Sequence, residues 1–196
     1  MCLLVLAGVA LARDPSTELE AVISRYHKAN TISGNFEQST CSEELGYRQT
    51  FAGRFWLARP DKFRFDMDEP FPQQMVGDSE NLWIYRPDSG AARHTDAVVN
   101  PFFEILLNSS LEMFVAESLT VEDDQNRLTA LPADSMSSFQ RITMLLDPED
   151  HSINHVRIDD GFGNKIEYAL TAVKYNAKLP ARTFKFVPPP GTVITE

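Results

Sequence analysis

The sequence predicts a mainly β protein in which one long, strongly curved antiparallel sheet carries helices on its concave side. Three observations point there. About ten short segments alternate apolar and polar residues with the strand period of two. One amphipathic helical pattern precedes them, and the helical period returns once in mid-chain. A sheet with one apolar face and helices with apolar stripes each need a partner, and packing the two together supplies it.

Asp14-Pro15 reads as an N-cap followed by proline at the first helical position, and Leu19, Val22, Ile23 and Tyr26 follow at helical spacing. The helix is expected over roughly 15–29. In "TISGNFEQST" the period becomes two, with Ile32, Gly34 and Phe36 in phase, which makes the first strand. Strands are expected next at 49–58, 62–67, 74–77 and 82–85, divided by turn signals such as Arg59-Pro60-Asp61 and Pro87-Asp88-Ser89-Gly90. "NPFFEILLNSSLEMF" then offers Asn100 as a cap and Pro101 in the first turn of a short apolar helix, and Ser109 and Glu112 have capping-box spacing for another. Strands resume at 119–121, 127–131, 139–146, 153–158, 165–173 and 183–187, with "DDGFGN" as a hairpin connection and Glu122-Asp123-Asp124 as a solvated turn.

With 196 residues the chain has the size of one domain, and 43% hydrophobic residues, among them 13 Phe and 6 Met, imply a large aromatic interior. A formal net charge of −10 repels nucleic acid and anionic headgroups. The run "LLVLAGVALA", ending Ala10-Leu11-Ala12, reads as a secretory signal peptide over 1–12, leaving 13–196 as a single domain. No later segment is apolar for the length a membrane helix needs. Cys2 leaves with the signal, so Cys41, in a Ser/Glu-rich loop, has no disulfide partner. The triplet Leu6-Ala7-Gly8 is followed by Val9 instead of cysteine, so the product is read as unlipidated.

Catalytic chemistry finds no support in these residues. His151 and His155 stand four apart in a turn entering a strand, where strand rise holds them roughly 13 Å apart, too far for one metal. His94 follows a loop and has no nucleophile motif beside it, and Asp66 and Asp68 alternate onto the polar strand face. There is no phosphate-cradling glycine loop and no C-x-x-C. Neither a metal nor a cofactor is expected.

The puzzle is "RFWLARPDKFRFDM". Its alternation aims Phe55 and Leu57, then Phe63, Phe65 and Met67, toward one face, and Arg59 falls in phase with them. An unpaired guanidinium facing a core costs several kcal/mol.

"ISGNFEQ", "GRFWLARPDKFRFDM", "GDSENLWIYRPD", "NPFFEILLN" and "LPARTFKFVPPPGTVI" resemble, in the same order, segments of the periplasmic outer-membrane lipoprotein carrier family, LolA, over about 19–193. The resemblance implies an unclosed β-barrel of about eleven antiparallel strands, with a helical lid over a hydrophobic cavity. It implies a monomeric periplasmic chaperone, neither enzyme nor cofactor protein, that takes acylated lipoproteins from an inner-membrane ABC transporter and passes them to an outer-membrane receptor. It also implies that Arg59 bonds backbone groups of the lid helices and holds the empty carrier closed. An arginine that caps its own turn and faces water is the alternative. Phe55, Leu57, Phe63, Phe65, Met67 and Met75 on strands, with Phe102, Phe103, Ile105 and Leu106 on the lid helix, suit an acyl-chain cavity, and equally suit an ordinary core. A lipoprotein-sensing regulatory domain of the same fold is the alternative function.

Overall fold

Asp14 caps the first α-helix, its carboxylate accepting the Ser16 amide at 3.3 Å, and Pro15 supplies the preset first-turn geometry. The computed structural model describes residues 13–42, 46–78, 80–96, 106, 110–134 and 139–195. The expected signal peptide, the cap at Asn100 and the residues Phe102, Phe103 and Ile105 lie outside them.

Helix α1 (Pro15–His27) buries Leu19, Val22 and Tyr26 along one stripe and lies against β7 and β8 of the sheet. Twelve strands follow: β1 (Thr31–Ser42), β2 (Tyr47–Ala58), β3 (Lys62–Glu69), β4 (Gln73–Gly77), β5 (Asn81–Arg86), β6 (Ala91–Asp96), β7 (Phe114–Glu122), β8 (Gln125–Pro132), β9 (Arg141–Leu146), β10 (Ile153–Asp159), β11 (Asn164–Tyr175) and β12 (Val193–Thr195). All belong to one sheet in the order β12-β6-β5-β4-β3-β2-β1-β11-β10-β9-β8-β7. Two meanders, β1–β6 and β7–β11, meet where β1 pairs antiparallel with β11. The sheet does not close: β7 and β12 are its two ends.

The structure refines the expected elements in several places. Among the described residues the sheet has twelve strands, in keeping with the eleven or so expected, but the pairing is not wholly antiparallel, because β12 runs parallel to β6. The alternating "TFKFV" is not a strand. It begins in a 3-10 turn (Ala181–Phe184), and Phe186 then stacks on Trp83 at 5.1 Å and tilts against Tyr85 at 5.6 Å. This segment crosses the outer face of the sheet, held there by Arg64 donating to the Thr183 carbonyl at 3.4 Å. A strap across a sheet face can satisfy the same alternation as a strand, since one side of it is buried and the other wet. Finally, "AARHTD", to which the sequence pattern assigned no element, is strand β6, and Cys41 lies within β1, not in a loop.

The register aligns the inner face into rows. Gly34, Phe55, Phe65, Met75 and Ile84 face one another across β1 to β5, and Ile32, Leu57, Phe63, Gly77 and Leu82 form the next row. Small residues stand where a neighbour is large. A Cβ on Gly34 would lie 3.1 Å from the Phe55 ring, and one on Gly77 would lie 2.9 Å from the Phe63 ring and 2.2 Å from the Asn81 carbonyl oxygen. On the β8–β11 half, Leu128, Ile142, Met144, Leu146, Val156 and Tyr168 are buried in the same apolar cluster as α1.

Candidate functional site: a helix-tied aromatic wall

The inner ends of β2 and β3 carry the candidate residues, and the register explains their convergence. Phe55 and Leu57 are wholly shut off from solvent, and Phe63 and Phe65 nearly so. Phe65 is the hub: its ring meets Phe36 edge-on at 5.4 Å, stacks with Phe55 at 6.1 Å and tilts against Phe63 at 6.5 Å. Such offset and edge contacts stabilise each pair by about 0.5–1.5 kcal/mol beyond burial alone. Leu106, fully buried, joins this cluster, while Met67, Met75 and Ile84 are half-buried and pack against it. The row Phe55–Phe65–Met75–Ile84 therefore passes from sealed aromatic to partly open methionine and isoleucine, and ends at exposed Arg93 on β6. Of the ten apolar residues picked from the sequence, seven come together here; Phe102, Phe103 and Ile105 lie outside the described residues.

Arg59 follows the last residue of β2, and its side chain goes to carbonyl oxygens. Nε donates to Ala29 O at 3.0 Å, and Nη2 donates to Tyr26 O at 2.8 Å and to Leu106 O at 3.4 Å. Its backbone N–H donates to Asn30 O at 2.9 Å. Tyr26 lies in the last turn of α1 and Ala29 just beyond its end, where carbonyls run short of helical amides and the helix dipole is negative; the Tyr26 oxygen accepts the Ala29 amide at 3.2 Å as well as the guanidinium. A planar guanidinium with several donors fits that end better than an ammonium would. Burial lowers the Arg59 pKa, which starts far enough above neutrality to leave the group a cation. The charge in phase with the aromatic face is thus satisfied by backbone dipoles from two separate parts of the chain.

A second polar feature has no counterpart among the residues picked from the sequence. Glu18, on the buried side of α1, has only 3% of its surface exposed. Its Oε1 accepts from Asn126 Nδ2 at 3.1 Å and lies 2.8 Å from His151 Nδ1, and Arg13 stands 3.8 Å from Oε2. The helical spacing held the signal: Glu18 lies one turn before Val22 and beside Leu19, so it had to face inward. Further along the helix the Tyr26 hydroxyl accepts the Ile153 amide at 3.1 Å and lies 3.1 Å from the Tyr175 hydroxyl. Burial, reinforced by Tyr175, pushes the Tyr26 pKa well above its ordinary value.

The remaining groups do not assemble into a reactive centre among the described residues. No three or more His, Cys, Asp or Glu side chains converge as metal ligands there. Asp66 is not simply solvated on the outer face: it takes a two-point ion pair from Arg64 at 2.9 and 3.0 Å. His94 stacks on Trp83 at 4.6 Å. No helix among the described residues is long and apolar enough to cross a membrane.

Comparison with known proteins agrees with this architecture. A protein of Alkalilimnicola ehrlichii named outer-membrane lipoprotein carrier protein is 28% identical over 200 residues, covering 100% of this chain and 91% of its own length. One of the same name from Nitrosospira multiformis is 29% identical, covering 92% of this chain and 90% of its own. Among solved structures, an uncharacterized conserved protein of Thermus thermophilus superposes with a TM-score of 0.60 at 10% identity, over 93% of this chain and 99% of that one. MucA/MucB of Pseudomonas aeruginosa gives a TM-score of 0.51 at 11% identity, over 89% of this chain and 62% of that one. At such identities these two show the shared fold alone. The family described as "Outer membrane lipoprotein carrier protein LolA" matches residues 27–187, most of the sheet, and on that match the chain belongs to the LolA family.

Proposed function

We propose that this protein is a periplasmic carrier that shelters the acyl chains of lipoproteins against the inner aromatic wall and delivers them from an inner-membrane transporter to an outer-membrane receptor. The observation that carries the reading is the Arg59 bond set. One side chain ties the strand bearing the wall to α1 and to the backbone at Leu106, and so can hold a cover over apolar surface. Each buried methylene is worth about 0.8 kcal/mol, so a multiply acylated protein cannot cross water with its chains bare. Release requires a surface that is apolar yet loosely complementary. Half-buried Met67 and Met75 beside the Phe65 hub meet that need, because unbranched thioethers adapt to the shape they meet. No catalytic step is required, and none is assigned.

The test is extraction. Purified protein lacking residues 1–12 is expected to draw a triacylated lipoprotein from spheroplasts into a water-soluble complex, and mass spectrometry of the complex is expected to find the acylated species. A folded sample that extracts nothing refutes the reading. A lipid-sensing domain of the same fold would bind acyl chains without handing them to a receptor-bearing membrane, so onward transfer separates the two functions.

A further inference from the structure

The β9–β10 turn grips α1 along its length. Before the helix, Arg13 donates to the Pro148 carbonyl at 3.3 Å. In the first turns, Glu18 meets His151 and Asn126. Seven and eight residues on, Arg25 pairs with Asp150 at 2.8 Å and Tyr26 accepts the Ile153 amide. Positions 18, 22 and 26 share one helix face, and 25 adjoins it, so these grips line up along a single seam. The turn is itself braced: Asp147 accepts the amides of Glu149 and Asp150 at 2.8 and 3.1 Å, and the His151 amide donates to the Asp147 carbonyl at 2.9 Å. His151 has a left-handed backbone, φ +57°, uncommon for a residue with a side chain. Such a conformation persists where its surroundings over-determine it. Here the ring it carries reaches the buried carboxylate of Glu18.

From this arrangement we infer that Glu18, through His151 on the β9–β10 turn and Asn126 on β8, is a positioning residue that anchors α1 to the β7–β11 meander independently of Arg59, so that α1 is a stationary jaw of the carrier. Arg59 then works against a fixed helix, and loss of its bonds frees the contact at Leu106 without releasing α1. The inference rests on the carrier reading only for the word jaw; the anchoring is a property of the unloaded protein.

The experiment is a distance measurement between spin labels at exposed Glu20→Cys on α1 and exposed Glu149→Cys on the turn, in a Cys41→Ser background. In the unloaded protein the distribution is expected to stay narrow with Arg59→Leu and with Glu18→Gln, which retains an acceptor for Asn126 and His151. It is expected to broaden by one helical turn or more, about 5.4 Å, with Glu18→Leu and with His151→Ala. Strand circular dichroism shows whether each variant is folded, and the two variants remove the anchor from opposite sides. A narrow distribution in folded Glu18→Leu and His151→Ala overturns the inference, since packing and the remaining contacts of Arg13, Arg25 and Tyr26 would then hold the helix without Glu18. So does a broad one in Arg59→Leu. Adding a synthetic tripalmitoyl-cysteinyl peptide completes the test. Co-elution of the peptide with an unchanged distance supports the stationary jaw, and co-elution with a widened distance overturns it. Absence of co-elution counts against the carrier reading, and the unloaded variants still decide the anchor.

Discussion

Arg59 Nη2 donates to the carbonyl oxygen of Tyr26 at 2.8 Å, while the hydroxyl of the same tyrosine accepts the Ile153 amide at 3.1 Å. One residue of α1 is thereby tied by its backbone to the β1–β6 meander and by its side chain to the β7–β11 meander.

Arg59→Leu removes every donor of that side chain and leaves partly buried carbonyls to find new partners, at about 1–3 kcal/mol for each that fails. Cargo loading is expected to survive and transfer to receptor-bearing membranes to fall. Arg59→Lys is expected to restore little, because an ammonium does not reproduce the spread of the guanidinium donors. Transfer assays with a radiolabelled lipoprotein, comparing loaded carrier with delivered cargo, check both.

Phe65→Ala empties the hub of the wall, and the expected cost is about 3–5 kcal/mol in urea unfolding. Met75→Ala touches only the half-buried edge of the same row and is expected to cost less stability while weakening acyl-chain retention. Equal stability losses in the two variants would contradict the graded burial of the row.

Gly77→Ala places a methyl 2.2 Å from the Asn81 carbonyl, backbone that cannot rotate away. The variant is expected to lower the urea midpoint although alanine suits an ordinary strand no worse than glycine. Gly90→Ala serves as the comparison, since its left-handed backbone strains the variant but no atom stands in the way of a methyl.

Tyr26 supplies a pH dependence with a definite sign. Burial favours the neutral phenol, so the folded pKa lies above the unfolded value near 10. Below about pH 10 both states keep the proton and the contribution is whole; as the pH climbs past that toward the raised folded value, the unfolded chain ionises first and stability is lost. Asp78 acts at the other end. Hydrogen bonds from the Asn81 and Glu80 amides hold its carboxyl below the usual range, so the stability it gives is present above about pH 4 and is lost as the pH falls through the folded value. Tyr26→Phe and Asp78→Asn are expected to flatten the alkaline and acid limbs respectively in thermal unfolding followed across pH.

The sheet and the opening helix were legible because they rest on local pattern. The 3.6 spacing of Leu19, Val22 and Tyr26 and the alternation of Phe55, Leu57, Phe63 and Phe65 are both dictated by which side is dry. Elements defined by distant partners were not legible. Ala91–Asp96 has a poor strand composition and is a strand because β5 pairs with it and Trp83 takes the His94 ring. The segment with Phe186 alternates like a strand and becomes a strap because Trp83 and Tyr85 stand ready beneath it. Likewise Arg59 was visible as an anomaly, but its carbonyl partners carry no sequence signature, since any residue type can offer a backbone oxygen. Glu18 could have been read as inward-facing from its place in the helix; His151 and Asn126, brought by other strands, could not.

The order of the strands also constrains how the molecule is made. The central pairing, β1 with β11, joins the beginning of the chain to nearly its end. A chain that emerges N-terminus first can assemble β1 through β6, yet β1 must wait with one hydrogen-bonding edge bare until residues 164–175 arrive. Pairings of such long sequence separation form slowly, because loop closure is paid before the contact rewards it. For a protein itself proposed to guard sticky surfaces in transit, the strand order thus predicts a bare edge on β1 before the chain is complete, and its two meanders are natural pieces for testing whether separately expressed halves can find each other.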